Sequence, residues 1–132
     1  MKYLLDTHAW IWWNMRPAAL STKIQMLLGS GDPSDELLLS VISVWEFCKL
    51  IENRKLVVNV ETQGWVSSAL AAPRLTLVPL TPKIAYESTT LPGRLHRDPA
   101  DQLIVATARV ENAVLITRDK SLRQYRHIDT IW

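Results

Sequence analysis

The sequence predicts an α/β fold, a three-layer sandwich in which helices cover both faces of a central, mainly parallel sheet. Three observations predict it. Short apolar runs alternate with helical segments along the whole chain. These runs are continuous rather than alternating polar and apolar, as strands buried on both faces are. The stretches between strands two and three, and between three and four, are long enough for helical crossovers. At 132 residues the chain suits one domain, spanning 1–132, with enough length for a real core. No repeat, low-complexity segment or linker divides it.

The elements follow in order. Lys2 to Leu5 is an apolar strand ending at Asp6. Thr7 can cap a helix running to about Asn14, and Pro17 marks a break. Ser21 caps a second helix, Thr22 to Leu28. Residues 29–35 carry turn chemistry in Gly, Pro, Asp and Ser. Leu37 to Ser40 is the second strand. Ser43 opens a third helix, Val44 to about Glu52, and residues 53–60 form a loop. Thr62 to Ala72 reads as a helix stopped by Pro73. Leu75 to Leu80 is the third strand, bounded by prolines. Thr81 caps a helix from Pro82 to about Thr90. After a loop at 92–97, Asp98 is an N-cap with Pro99 in the first helical position. The helix that follows has an apolar, small-residue body in Leu103, Ile104, Ala106, Ala108 and Val110, suited to close packing on a sheet. Val114 to Thr117 is the fourth strand. Lys120 to Tyr125 is a short helix, and Ile128 to Trp132 a last strand.

Composition narrows the function. No apolar run reaches the roughly 18 residues of a membrane span, and Asp6 comes too early for a signal-peptide core. A soluble, cytoplasmic protein with no membrane partner is expected. The single cysteine, Cys48, excludes an intrachain disulfide and reads as a buried small hydrophobe. A formal charge of only +2 does not suit a protein that coats nucleic acid. The basic residues are nevertheless concentrated. Arg94, His96, Arg97, Arg109, Arg118, Lys120, Arg123, Arg126 and His127 all fall in the last third. Such groups around a set of acids suggest a phosphate-bearing ligand held through a cation. Six tryptophans are many for this length, and Trp10, Trp12 and Trp13 crowd one segment.

The element map places four carboxylates at one edge of the sheet. Asp6 follows strand one. Glu46 falls in the first turn of the helix after strand two. Asp101 falls in the first turn of the helix before strand four, and Asp119 follows that strand. Helix starts and the C-terminal ends of parallel strands share one edge. Each acid also has a local reading: Ser43 with Glu46 forms a capping box, Asp101 complements a helix dipole, and Asp6 and Asp119 are turn or cap residues. Together they would repel one another and raise one another's pKa. A divalent cation relieves that repulsion. Mg²⁺ or Mn²⁺ suits carboxylate oxygens, whereas zinc would want His or Cys ligands. Such an ion binds phosphate, orients water and lowers its pKa.

Leu-Leu-Asp-Thr-His-Ala-Trp at 4–10, Ser-Val-Trp-Glu at 43–46, His-Arg-Asp-Pro-Ala-Asp-Gln-Leu-Ile-Val-Ala-Thr-Ala at 96–108 and Leu-Ile-Thr-Arg-Asp at 115–119 resemble PIN-domain nucleases. More narrowly, they resemble the VapC-type toxins of type II toxin–antitoxin systems. The motifs stand in the family's order and span most of the chain. The resemblance implies a PIN-like fold and a metal-dependent endoribonuclease, a hydrolase of RNA phosphodiesters that leaves a 5′ phosphate. Carried over residue by residue, it implies that Asp6, Glu46, Asp101 and Asp119 are the catalytic acids and hold Mg²⁺ (or Mn²⁺), with Asp98 as an additional acid. Thr7, Ser43, Thr117 and Arg118 are candidate substrate-binding residues, and His8 is a weaker one. Ala100 and Gln102 depart from the bulky aromatic and arginine common in relatives, which leaves the acids intact but removes a basic group. The resemblance further implies a cognate, DNA-binding, VapB-like antitoxin and a homodimer, with Trp10–Trp13 a landing site for the antitoxin. The alternatives are a DNA-directed or flap-type nuclease of related fold, and a catalytically silent metal-binding interaction module.

Overall fold

The computed structural model describes residues 1–132. Five strands form one all-parallel sheet in the order β3-β2-β1-β4-β5. They are β1 (Lys2–Leu5), β2 (Glu36–Ser40), β3 (Leu75–Val78), β4 (Val114–Ile116) and β5 (Thr130–Ile131). Seven helices connect and cover them: α1 (Thr7–Met15), α2 (Thr22–Ser30), α3 (Val41–Glu52), α4 (Thr62–Leu70), α5 (Pro82–Thr89), α6 (Pro99–Glu111) and α7 (Lys120–Gln124). A 3₁₀ turn at Pro17–Ala19 sits where Pro17 breaks the helical run.

The strand period of two sorts neighbouring leucines into separate cores. Leu4, Leu38 and Leu115 face one way and pack with Ile84 of α5 and with Ile104, Val105 and Ala108 of α6. Leu5, Leu37, Leu39 and Ile116 face the other way, against Trp10 of α1, Ile24 of α2 and Phe47 of α3. Both faces of the sheet are therefore covered, which explains why the strand sequences read as unbroken apolar runs. The small side chains of α6 let it lie close, with Val105 and Ala106 fully buried.

Helix boundaries follow side-chain caps. Asp6 caps α1 by accepting the Ala9 N–H at 2.7 Å, so the cap lies one residue earlier than Thr7. Ser40, not Ser43, caps α3: its hydroxyl accepts the Ile42 N–H at 3.0 Å. Strand β2 thus passes into α3 without a loop. Ser43 lies fully buried inside the helix, Glu46 falls in its second turn, and the capping box does not form. Ser21, Thr81 and Asp98 cap α2, α5 and α6 as their sequence positions predict. Strands β3, β4 and β5 are shorter than their apolar runs. The C-terminal end of α2 is closed from a distance by Arg74, whose guanidinium donates to the carbonyls of Leu27 at 3.2 Å and Leu28 at 3.1 Å. Cys48 is exposed rather than buried. It lies beside Phe47, which takes the inward position of α3. Among the tryptophans Trp10 is wholly buried and Trp45 is 55% exposed. No helix is long and apolar enough to cross a membrane.

The strand order reverses direction at the β1–β4 pair. On one side the chain winds from β1 to β2 and β3; on the other it winds from β4 to β5. The crevice outside the C-terminal ends of such a pair is where open α/β sheets bind ligands.

Candidate active site

At that crevice lies an open cleft of about 520 Å³, lined by Asp6, Glu46, Asp98, Asp101 and Asp119, with Trp12 and Arg118 at one side. Four places in the fold supply the five acids. Asp6 ends β1 and caps α1. Glu46 projects from the second turn of α3. Asp98 caps α6, and Asp101 sits in its first turn. Asp119 follows β4 and caps α7.

Two hydroxyl relays hold the inner acids. Thr117 donates its hydroxyl proton to Asp6 Oδ2 and accepts the Asp119 N–H at 3.1 Å, tying the ends of β1 and β4 together. Thr7 donates to Glu46 Oε1 and lies 2.9 Å from the Ser43 hydroxyl. A hydroxyl has one proton to give, so the order is Ser43 to Thr7 to Glu46. Ser43 and Thr117 have no exposed surface. Both stand behind the acids and orient them, rather than reaching a substrate as the sequence reading expects. Thr7 is 3% exposed and serves the same purpose.

The outer acids are held differently. Asp101 Oδ2 lies 3.1 Å from His96 Nε2. His96 Nδ1 accepts the Asp98 N–H at 3.4 Å, which leaves the imidazole proton on Nε2, facing Asp101. Asp98 Oδ1 accepts the Asp101 N–H at 3.0 Å. Asp119 Oδ1 takes three donors, the N–H and hydroxyl of Ser121 and the N–H of Leu122.

The electrostatics separate these groups. Burial pushes Asp6 and Glu46 above the usual carboxylate range. Asp101 is pushed up to about 6, first by burial and then by the charge of Asp98, with Glu46 and Asp119 adding to it. Asp119 is held low, chiefly by the Ser121 hydroxyl. Burial is the main cause for all three, and repulsion among the acids adds to it: Asp119 acts on Asp6, Asp98 and Asp6 on Glu46, and Asp98, Glu46 and Asp119 on Asp101.

No three of the His, Cys, Asp or Glu side chains stand as a ready metal cage. The donor set nevertheless fits a hard divalent cation. It consists of carboxylate oxygens only. Glu46, Asp98, Asp101 and Asp119 each keep one oxygen that makes no hydrogen bond within the chain. Three of the acids are held away from their charged form by burial and by one another, and a cation would reverse that balance.

Three neighbours make contacts that the motifs do not specify. His96 opens the third motif, and its place two positions before the α6 cap sets it beside Asp101. His8 is exposed at the cleft, with its ring 5.7 Å from that of Trp12. Arg118 lies over the face of Trp12, its guanidinium carbon 4.6 Å from the ring centroid. A tryptophan in a crowded aromatic segment gives no hint of a partner so distant in sequence.

Residues 3–128 match the PIN domain family. The chain is 33% identical over 131 residues to ribonuclease VapC22 of Mycobacterium tuberculosis, covering 98% of this chain and 97% of that protein. Two solved structures share its fold. VapBC2 from Rickettsia felis, bound to a DNA fragment from its promoter, superposes with a TM-score of 0.73 at 18% identity, over 99% of this chain and 98% of that one. The DNA-bound VapBC of Salmonella typhimurium gives 0.72 at 17% identity, over 99% and 97%.

Proposed function

This chain belongs to the PIN-domain family, and from that membership we propose that it is a VapC-type ribonuclease that hydrolyses RNA phosphodiesters at the acidic cleft. The observation that carries the reading is the convergence of Asp6, Glu46, Asp101 and Asp119 from separate elements on one crevice at the strand-order reversal. These four, with Asp98 beside them, would hold Mg²⁺ or Mn²⁺. When bound, the ion supplies water activation and neutralisation of charge on the phosphate. The chain's own residues supply the mount. Thr117 fixes the rotamer of Asp6, and the Ser43–Thr7 pair fixes Glu46. His96 turns Asp101. Arg118, steadied on Trp12, presents a planar cation to a phosphate at the cleft mouth. The open crevice admits a single strand or a loop, whose phosphates can reach an edge that a duplex would not enter.

The toxin role follows from kinship. A relative that matches over 98% of this chain is a VapC ribonuclease, and two solved neighbours are VapBC complexes on DNA. A DNA-binding antitoxin partner and a homodimer complete this reading. The half-buried Trp13, rather than the wholly buried Trp10, is the part of the aromatic segment open to such a partner.

The test is cleavage of labelled RNA and sequence-matched DNA by purified protein, with Mg²⁺, with Mn²⁺ and with chelator. RNA is cut only when metal is present, and DNA is spared. Asp6→Asn and Asp101→Asn each abolish cleavage while circular dichroism stays unchanged. Cleavage in chelator, or full activity in both folded variants, overturns the reading. Preferential cutting of DNA would replace it with a DNA nuclease.

A further inference from the structure

Arg118 faces two clefts. It lines the acidic crevice, and it also lines an adjoining cleft of about 540 Å³ shared with Lys120, Arg123, Gln124 and Thr130. No carboxylate lines the second cleft. Arg118, Lys120 and Arg123 are exposed, and none enters an ion pair with the chain's acids. The basic residues at the other end of the sheet are arranged differently. There Arg109 is engaged at 2.6 Å by Glu87 and at 2.7 Å by the His127 carbonyl. Unpaired positive charge therefore extends from the acidic crevice along α7.

Arg118 is also set in place. Its guanidinium rests on Trp12, and Trp12 is braced edge-on by Trp132 at 5.9 Å. A stacked guanidinium loses less freedom on binding than a free one and keeps its N–H fork open for phosphate oxygens. The acids repel a polyanion until it is held from outside the crevice, so cations that no acid neutralises have most effect just beyond it.

We propose that Arg118, Lys120 and Arg123 form a track for the phosphates that flank the scissile one in single-stranded RNA, with Arg118 at the junction between track and crevice. The proposal rests on the ribonuclease reading, but its test does not require cleavage. Binding of a fluorescent oligouridylate long enough to leave the crevice is measured by anisotropy in chelator, over a range of KCl concentrations. Lys120→Ala/Arg123→Ala is compared with the unmodified protein and with Lys83→Ala/Arg126→Ala at the far end of the sheet. Each phosphate contact on a single strand contributes about 0.7 to the slope of log affinity against log salt. The track variant therefore loses about 1.4 from the slope, and the far variant keeps the original slope. Equal slopes in the unmodified and track proteins overturn the proposal. So does an equal loss in the far variant, since net charge alone would then explain it. Polyglutamate that binds as tightly as RNA and competes with it also overturns it, in favour of an acidic peptide. Metal-dependent RNA cleavage with an unchanged slope removes the track and leaves the ribonuclease reading standing. A lost slope without cleavage does the reverse.

Discussion

Asp6 and Thr117 show how much of the cleft depends on single side chains. The Asp6 carboxylate is 9% exposed and takes the Thr117 hydroxyl proton at one oxygen and the Ala9 N–H at the other. Thr117→Val keeps the shape and removes the donor. It leaves a buried carboxylate short of a partner, which costs about 1–3 kcal/mol in urea unfolding at neutral pH. Outer partners of metal-binding carboxylates matter to the ion as well, so the same variant weakens Mn²⁺ affinity about 10–100-fold in calorimetric titration. Asp101 gives a pH signature. Its carboxyl lies at about 6 in the fold against an ordinary 3.8, so the folded protein prefers the protonated form. A raised acid stabilises below the unfolded value and loses that contribution as pH climbs through the folded one. Without metal, the share of stability owed to Asp101 therefore declines between about pH 4 and pH 6. The melting temperature of Asp101→Asn lacks that share of the decline, and metal affinity of the unmodified protein falls below about pH 6 as protons compete.

At the scale of elements, α6 carries two carboxylates with separable tasks. Asp98 caps the helix through Oδ1, and its charge helps to raise Asp101. Asp98→Ala removes the cap and costs about 1 kcal/mol of stability. Asp98→Asn keeps an acceptor and leaves stability nearly unchanged. Comparing cleavage in the two variants isolates the charge: equal loss of activity in both shows that the carboxylate acts at the metal as well as at the helix. Element boundaries also show what the sequence reveals. Asp98 followed by Pro99 is legible because cap and proline are adjacent and act locally. Ser40 and Ser43 are both able to cap α3, and only pairing with Val78 decides between them, because it keeps Ser40 in the sheet. Glu46 lies at the expected edge although it stands in the second turn of α3 and not the first. A shift of three residues in the helix start moves it by less than one turn, and it still faces the end of β1.

For the whole molecule, the alternation of buried runs and helices was enough to give the parallel three-layer architecture, since both-face burial leaves its mark on composition. The acids were legible because strand ends and helix starts share an edge. The His96–Asp101 contact, the Trp12–Arg118 stack and the two hydroxyl relays were not, because each depends on side-chain directions that only the assembled sheet fixes. Assembly also predicts a thermal response. An ion that binds the folded cleft and not the open chain raises stability by about 2.7 kcal/mol at a hundredfold excess over its dissociation constant. Saturating Mn²⁺ thus raises the melting temperature of the unmodified protein, and Asp6→Asn and Asp101→Asn remove most of that rise in differential scanning fluorimetry.

The strand order has a consequence for synthesis. Strand β1 leaves the ribosome first, yet its neighbour on the reactive side is β4, made after two crossovers have already wound to β2 and β3. Asp6 therefore waits through most of translation without Thr117 to orient it and without Asp101 or Asp119 beside it. The emerging chain lacks its full set of cleft acids, which comes together only when the late strand inserts. This order gives any partner that recognises the early β1–α4 half a chance to engage the chain before the crevice exists.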